Sequence, residues 1–363
     1  MVYKAIGLMS GSSLDGLDIA YVSLQETGGK WSYEFLHTEC ASYSTDWMYQ
    51  LKNAIKLSGL DYQLLHTAYG HYIGKEINRF IDQKGIQHQV HLVGSHGHTT
   101  FHVPKKMMTG QIGDGAAIAA ETGLPVVSDL RALDIAFGGQ GAPIVPIGEK
   151  LLLGEYDYFL NLGGIANISC NLPGNYIAFD VCPANRVLNL IVSKLGKDYD
   201  DGGKIAASGK VNKKLLSELN ELHYYSLPYP KSLANDFGTD VVFPHIQQAR
   251  LSVEDGLATF VEHIASQISL SIANLKQPAA ERKLLATGGG ALNHFLIERL
   301  QYHLQQQQVT VIVPDRQLIE FKEALVMALM GVLRWREEYN VLASVTGAKR
   351  NSIGGALWLG GEA

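Results

Sequence analysis

The chain has 363 residues, 46% hydrophobic and 18% charged, with a net charge of −5. This composition supports two sizeable cores, excludes a disordered chain and offers no basic run for nucleic acid. No apolar stretch reaches the roughly 20 residues a membrane span needs, and three scattered cysteines (Cys40, Cys170, Cys182) read as reduced thiols, not a disulfide framework.

Met1 leads almost at once into an apolar run, so the reading expects no signal peptide and a cytoplasmic protein. Val2 to Leu8 reads as a buried strand and Ile19 to Leu24 as its return. The turn between them is rich in Gly and Ser. Its backbone N–H groups, with the Ser10, Ser12 and Ser13 hydroxyls, suit an anion. An ordinary hairpin turn is the duller alternative. Trp31 to Ser44 reads as extended, and Thr45 to Leu57 and Asp61 to Gln83 as helices.

Val90 to Ser95 reads as a short buried strand. It leads into Gly94-Ser-His-Gly-His-Thr-Thr-Phe-His102, where His96, His98 and His102 cluster. His-x-His on a strand allows a metal site, but Gly97 intervenes and no carboxylate completes the set. Recognition of sugar hydroxyls and simple turn packing are the other readings. A small-residue helix follows at Gly115 to Thr122, then a short strand at Pro125 to Ser128. Beyond it, Asp129, Arg131 and Asp134 sit together. Arg131 suits a fixed planar role toward a carboxylate or acyl group, against the alternative of a surface ion pair. The Gly- and Pro-rich stretch Phe137 to Pro146 marks a domain boundary or a substrate loop.

Tyr158 to Asn171 repeats the strand–turn–strand pattern, with Gly163 and Gly164 at the turn. Two such starts facing each other make a phosphate clamp. Tyr176 to Asp180 reads as the next strand, and Pro183 to Leu195 as a helix with Pro in its first turn. Asp180 then stands at a strand end, where α/β sheets line their ligand crevice, and is a candidate general base. Capping the helix is its alternative role. Ser252 to Leu275 is a long helix. The Gly288-Gly-Gly290 cluster follows a strand and precedes a helix, and suits close approach of a flat base or ribose. Lys322 to Arg336 reads as a helix beginning at Lys322, which puts Glu323 in its first turn, favoured by the helix dipole whether structural or catalytic. The end of the chain, with Val345-Thr-Gly-Ala and Gly354-Gly355, is read as returning to the first domain. Strands alternating with helices give an α/β chain with mixed sheets. P-loop, protein-kinase and nucleophile-elbow motifs are all missing.

In order along the chain stand Gly7-Leu-Met-Ser-Gly-Ser-Ser-Leu-Asp-Gly-Leu-Asp18, Gly94-Ser-His-Gly-His-Thr99, Gln111-Ile-Gly-Asp114 and Gly138-Gly-Gln-Gly-Ala-Pro143. Asn161-Leu-Gly-Gly-Ile-Ala-Asn167, Phe179-Asp180, Pro230-Lys-Ser232, Gly288-Gly-Gly-Ala291, Lys322-Glu-Ala324 and Val345-Thr-Gly-Ala348 complete the set. This ordered set resembles the anhydro-N-acetylmuramic acid kinase family of the sugar kinase/Hsp70/actin superfamily, nearly end to end.

The resemblance implies a two-domain actin-like ATPase (ribonuclease H-like) fold with an interdomain cleft. Residues 1–145 with 340–363 form the N-terminal domain and 146–339 the C-terminal one. It implies ATP and Mg²⁺ as cofactors, a homodimer, and no nucleic-acid or membrane partner. The expected reaction opens 1,6-anhydro-N-acetylmuramic acid with water and phosphorylates O6. By the same resemblance Asp180 is the catalytic base, with Glu323 a second catalytic candidate. Gly11, Ser12, Ser13, Leu14, Asp15, Gly16, Asp18, Asn161, Gly163, Gly164, Gly288, Gly289 and Gly290 are expected at ATP and its phosphates. Ser10, His96, His98, Arg131, Gln140 and Gly141 are expected at the sugar.

The chain also departs from the family pattern. Ser12 replaces a common Thr and keeps the hydroxyl, and His98 replaces a usual Gln. Phe-Asp-Thr-Gly-Pro-Gly-Asn becomes Phe179-Asp-Val-Cys-Pro-Ala-Asn185, and Thr-Gly-Arg-Glu becomes Leu233-Ala-Asn-Asp236. If the lost Gly requires a positive φ, Cys182 is strained or the turn differs. Met9 stands where the wider superfamily often has Asp, leaving Mg²⁺ to phosphates, water and another carboxylate. These departures keep two alternatives open: a kinase for a non-anhydro amino sugar, or a non-catalytic sugar-sensing protein on the same fold.

Overall fold

The computed structural model describes residues 1–172, 175–229, 231–234, 236–275 and 281–361. Its contacts divide into two units, Met1–Gly154 with Phe321–Ala363, and Glu155–Glu320.

The first unit opens with β1 (Val2–Ser10), β2 (Gly16–Thr27) and β3 (Lys30–Ser42), a meander of antiparallel neighbours. β4 (Leu92–Val103), β5 (Met108–Ile112) and β6 (Val126–Ser128) follow the helices Thr45–Asn53 and Gly59–Lys84. β4 runs parallel to β1, and β6 parallel to β4. The fully buried side chains of Ile6, Leu8, Ile19 and Val93 pack against Tyr69, Ile73, Ile77 and Phe80 of the long helix. Burying each such side chain contributes about 1.5–3 kcal/mol before the entropy of ordering it.

The second unit contains β7 (Tyr158–Leu162), β8 (Ile165–Leu172), β9 (Asn175–Pro183), β10 (Arg282–Thr287) and β11 (Val309–Ile312). β7, β8 and β9 form a second antiparallel meander, while β10 runs parallel to β7 and β11 to β10. Its core joins Leu160 and Ile168 to Phe260, Ile264 and Ile268 of the helix Val253–Asn274. The chain then returns to the first unit, where β12 (Ala356–Trp358) pairs antiparallel with β6.

The two sheets repeat one plan. The first has the order β12-β6-β4-β1-β2-β3, with β5 beside β4, and the second β11-β10-β7-β8-β9. Each is a three-strand meander whose first strand is extended by two parallel strands, β4 and β6 in the first sheet and β10 and β11 in the second, the ribonuclease H-like arrangement duplicated in actin-like ATPases. The expected α/β class with mixed sheets is the observed one.

Several boundaries differ from the sequence reading. β4 continues through all three histidines, because Gly97 at φ 71° bends the strand without ending it. Pro183 closes β9 and starts no helix; the helix runs Asn185–Val192. The last long helix begins at Arg316, with Asp315 Oδ1 accepting from the Leu318 N–H at 2.8 Å. Glu323 therefore lies two turns inside the helix, beyond the first turn where the helix dipole favours a carboxylate. Residues 146–154 and 321–339 sit in the first contact unit, where the sequence reading puts them with the second domain. Their reason is packing: a Cβ on Gly148 would meet Val326 at 2.3 Å, and Lys322 pairs with Glu149 at 3.3 Å, both buried.

Candidate active site

In the second unit, one rung crosses the sheet. Thr287 pairs with Asn161, Asn161 with Asn167, and Asn167 with Asp180. Partners on a rung share a face, so hairpin geometry sets the Asn161 and Asp180 side chains in one row. Just past this rung the β7–β8 turn spends its carbonyls on the next helix: Gly163 O accepts from the Asn185 N–H at 3.1 Å and Gly164 O from the Ala184 N–H at 2.9 Å. Asn185 Nδ2 donates to Leu162 O at 2.9 Å.

The third glycine cluster closes on the same turn. A Cβ at Gly288, where φ is 78°, would sit 2.5 Å from Asn161 Oδ1, and one at Gly290 would sit 2.7 Å from Leu162 Cβ. Only glycine permits this approach. Asn161, Gly163, Gly288 and Gly290 are thus brought together, with Gly289 exposed beside them. A cavity of about 530 Å³ opens here, lined by Gly164, Asn185, Arg186, Asn189, Lys197 and Thr239 among others. Asn185 touches both the cavity and the glycine cluster, a role the sequence reading missed.

Asp180 is gripped by a segment about fifty residues away. Its Oδ2 accepts from Ser232 Oγ at 3.0 Å and from the Leu233 N–H at 2.9 Å. Its backbone N–H donates to Lys231 O at 3.1 Å, and Tyr224 OH donates to its carbonyl at 2.7 Å. Asp180 does not cap the following helix, whose N-cap Ala184 carries no side-chain bond. Pro230 and Asn235 lie outside the described residues. Lys231 Nζ lies 4.6 Å from the centre of the Tyr224 ring, and burial lowers its pKa, against the opposing pull of Cys182. Cys182 is fully buried in β9 and is not among the residues at positive φ, so it fills its place without backbone strain. Burial pushes its thiol well above the usual range.

In the first unit the β1–β2 turn is built around Asp15. Asp15 Oδ1 accepts from Ser13 Oγ at 2.6 Å and from the Gly16 N–H at 3.1 Å. Leu14 adopts φ 59°, a left-handed value that a branched apolar residue rarely takes and that marks the turn as constrained. Gly11 O receives the Leu14 N–H at 3.4 Å. The Ser13 hydroxyl is engaged within the turn, whereas Ser12 is exposed. Asp18 pairs with Met9 on the adjoining strands.

Ser10 lies below this turn and is buried. Tyr43 OH donates to its Oγ at 2.7 Å, and His98 Nδ1 lies 3.0 Å from the same oxygen. Tyr69 meets Tyr43 hydroxyl to hydroxyl at 2.5 Å. Burial lowers the pKa of His98. Tyr43 and Tyr69 carried no signal in the sequence beyond helical or strand patterning.

His96 and Arg131 form a second group. Arg131 Nε donates to His96 Nε2 at 2.9 Å, and Arg131 Nη1 to Gly141 O at 3.1 Å. His96 Nδ1 lies 2.9 Å from Gly97 O. Burial, reinforced by the Arg131 charge, pushes His96 down to about 3. Asp134 is fully buried, not on the surface: Oδ2 accepts from the Gly141 N–H at 2.8 Å and Oδ1 from Thr346 Oγ1 at 2.7 Å. The Gln140 N–H donates to Thr346 O at 2.8 Å. The Val345-Thr-Gly-Ala motif therefore shapes the Gly138–Pro143 loop. Glu323 acts electrostatically on Arg131, opposing the lowering of its pKa by burial.

Among the described residues no group of three or more His, Cys, Asp or Glu side chains is placed to hold a metal. His96 and His98 are committed to Arg131 and Ser10. The described residues thus offer Mg²⁺ no cage of their own. Among them, too, no helix is long and apolar enough to cross a membrane.

Residues 3–360 match the family model described as anhydro-N-acetylmuramic acid kinase. The chain belongs to the anhydro-N-acetylmuramic acid kinase family. Two relatives bearing the family's name, from Aliivibrio fischeri and Synechococcus elongatus, are each 33% identical over 98% of this chain and 99% of their own length. Among solved structures, the activator of the 2-hydroxyisocaproyl-CoA dehydratase from Clostridium difficile with bound ADPNP covers 93% of this chain and 96% of its own, at 15% identity and a TM-score of 0.47. A ROK family glucokinase from Streptomyces griseus covers 90% and 98%, at 12% identity and a TM-score of 0.41. Family membership makes the chain an ATP-dependent sugar kinase.

Proposed function

We propose that Asp180 is the base with which this kinase opens the internal bridge of 1,6-anhydro-N-acetylmuramic acid. The observation that carries the assignment is the grip on its carboxylate. Oδ2 is occupied by Ser232 and the Leu233 N–H, while Oδ1 has no partner among the described residues. One oxygen orients the group and the other remains to take a proton.

The chemistry balances in one sequence. Water forms a bond to the anomeric carbon as its proton passes to Asp180 Oδ1. The C1–O6 bond breaks, and O6 takes the γ-phosphoryl group as the bond to the β-phosphate breaks. The leaving oxygen of the first step is the nucleophile of the second, so no free alkoxide accumulates. Water attacks opposite O6, which inverts the anomeric centre.

On this reading Gly11 to Gly16 in the first unit and Asn161, Gly163 and Gly164 in the second receive phosphate oxygens. Ser12, exposed and unengaged, donates to one of them. The cavity beside Gly164 and Asn185 has nucleotide scale, and the Gly288–Gly290 cluster supports base or ribose. Ser10, His98, Arg131, Gln140 and Gly141 serve the sugar. Mg²⁺, when bound, would be held mainly by the nucleotide phosphates and would supply charge neutralisation for the transferring group. A homodimer belongs to the same reading, by family resemblance.

The test offers the anhydro sugar and open-ring N-acetylmuramic acid side by side with ATP. Phosphorylation of the anhydro sugar at a kcat/KM at least about tenfold higher is expected. Preference for the open sugar would refute the ring-opening role.

A further inference from the structure

We propose that His96 is a positioning residue, held as its neutral Nδ1–H tautomer so that Nε2 fixes the Arg131 guanidinium as an oxyanion receptor. A guanidinium only donates. Arg131 Nε lies 2.9 Å from His96 Nε2, so that ring nitrogen must accept. The ring proton then sits on Nδ1, 2.9 Å from Gly97 O, the acceptor it needs. A doubly protonated ring would set two N–H groups against each other. Burial and the Arg131 charge keep the ring neutral, with His98 adding to the same effect.

The other edge of the guanidinium is fixed as firmly. Nη1 donates to Gly141 O, and Gly141 is tied through Asp134 to Thr346. His96 and Gly141 thus hold the guanidinium at two of its three nitrogens. The remaining N–H groups on Nη1 and Nη2 have no partner among the described residues. Glu323 and His102 also sense the Arg131 charge, and Glu323 offsets it. A pinned, partly buried guanidinium with spare coplanar donors suits a carboxylate or a phosphoryl group. Muramic acid carries a lactyl carboxylate that glucosamine lacks, and ATP carries phosphates. The identity of the oxyanion rests on the proposed function; the tautomer does not.

Imidazole ¹⁵N spectra, assigned with His96→Gln, should show His96 as the Nδ1–H tautomer. Kinetics then compare 1,6-anhydro-N-acetylmuramic acid, 1,6-anhydro-N-acetylglucosamine and ATP. We expect His96→Phe to raise KM for the muramic sugar about tenfold and to erode its preference over the glucosamine sugar, with KM for ATP within about twofold. Gln, whose amide oxygen also accepts from Nε, should restore KM to within about threefold. Arg131→Met should reproduce the His96→Phe loss of preference. A rise confined to KM for ATP would still support a receptor, now for phosphate. An Nε2–H tautomer, or unchanged KM values for both substrates in His96→Phe and Arg131→Met, would overturn the proposal. Wild-type protein inactive on both sugars would refute the kinase reading instead, and the spectra would still decide the tautomer.

Discussion

Leu233 donates its backbone N–H to Oδ2 of Asp180 at 2.9 Å, and Ser232 adds its hydroxyl to the same oxygen at 3.0 Å. One segment thereby orients the carboxylate. Asp180→Asn keeps an oxygen for these donors but cannot take a proton. It should cut turnover about 10²–10⁴-fold while ATP binding stays within about twofold. Rapid-mixing turnover and nucleotide titration check this; lost nucleotide binding in a folded variant would give Asp180 another role.

Ser12→Ala tests the phosphate turn of the first unit. Ser13 is committed to Asp15, so Ser12 supplies the available hydroxyl there. A hydrogen bond to a charged phosphate contributes about 1.5–3 kcal/mol, so KM for ATP should rise roughly tenfold or more. Unchanged ATP kinetics would take that turn out of the site.

Lys322→Met addresses the Lys322-Glu-Ala motif. Lys322 and Glu149 are both buried, 3.3 Å apart. Removing the cation takes one charge-assisted contact from the buried Glu149, which should cost about 1.5–3 kcal/mol of stability. Calorimetry should show a clearly lower melting temperature. A melt matching wild type would contradict a structural role for this residue.

Much of this arrangement was legible in the chain. Both strand–turn–strand starts and the Gly288–Gly290 cluster declare themselves because runs of small residues interrupt apolar strands at their ends. Local misreadings have local causes. Gly97 looks like a strand terminator but acts as a bend, and Asp315 hides the true helix start because its capping role depends on a contact three residues on. The grip of Ser232 and Leu233 on Asp180, and of Thr346 on Asp134, join residues far apart in sequence. No periodicity reports such pairs. Arg131 illustrates the cost: a surface ion pair with its neighbours is its duller reading, while the fold buries the neighbouring Asp134 completely under hydrogen bonds of its own.

Acid should weaken the protein through its buried neutral histidines. His96 in the first unit and His263 in the second are both pushed down to about 3, each mainly by burial. The unfolded chain binds a proton at each near pH 6.5, the folded chain only near pH 3. Stability is therefore full above about pH 6.5 and falls as pH drops, by up to about 1.4 kcal/mol per pH unit per histidine. His263 spans Asn220 Oδ1 at 2.7 Å and Tyr225 OH at 3.0 Å. His263→Gln should flatten the slope between pH 6 and 4, as read from denaturant midpoints. An unaltered slope would mean that His263 is not held neutral.

The most direct test of coupled ring opening and phosphorylation uses purified protein, ATP, Mg²⁺ and 1,6-anhydro-N-acetylmuramic acid in heavy-oxygen water. Mass spectrometry should find a product that has gained one labelled water and one phosphoryl group, with the heavy oxygen on the anomeric carbon. A product that gains a phosphoryl group without water, or takes the label at O6, would contradict Asp180 as the base of ring opening.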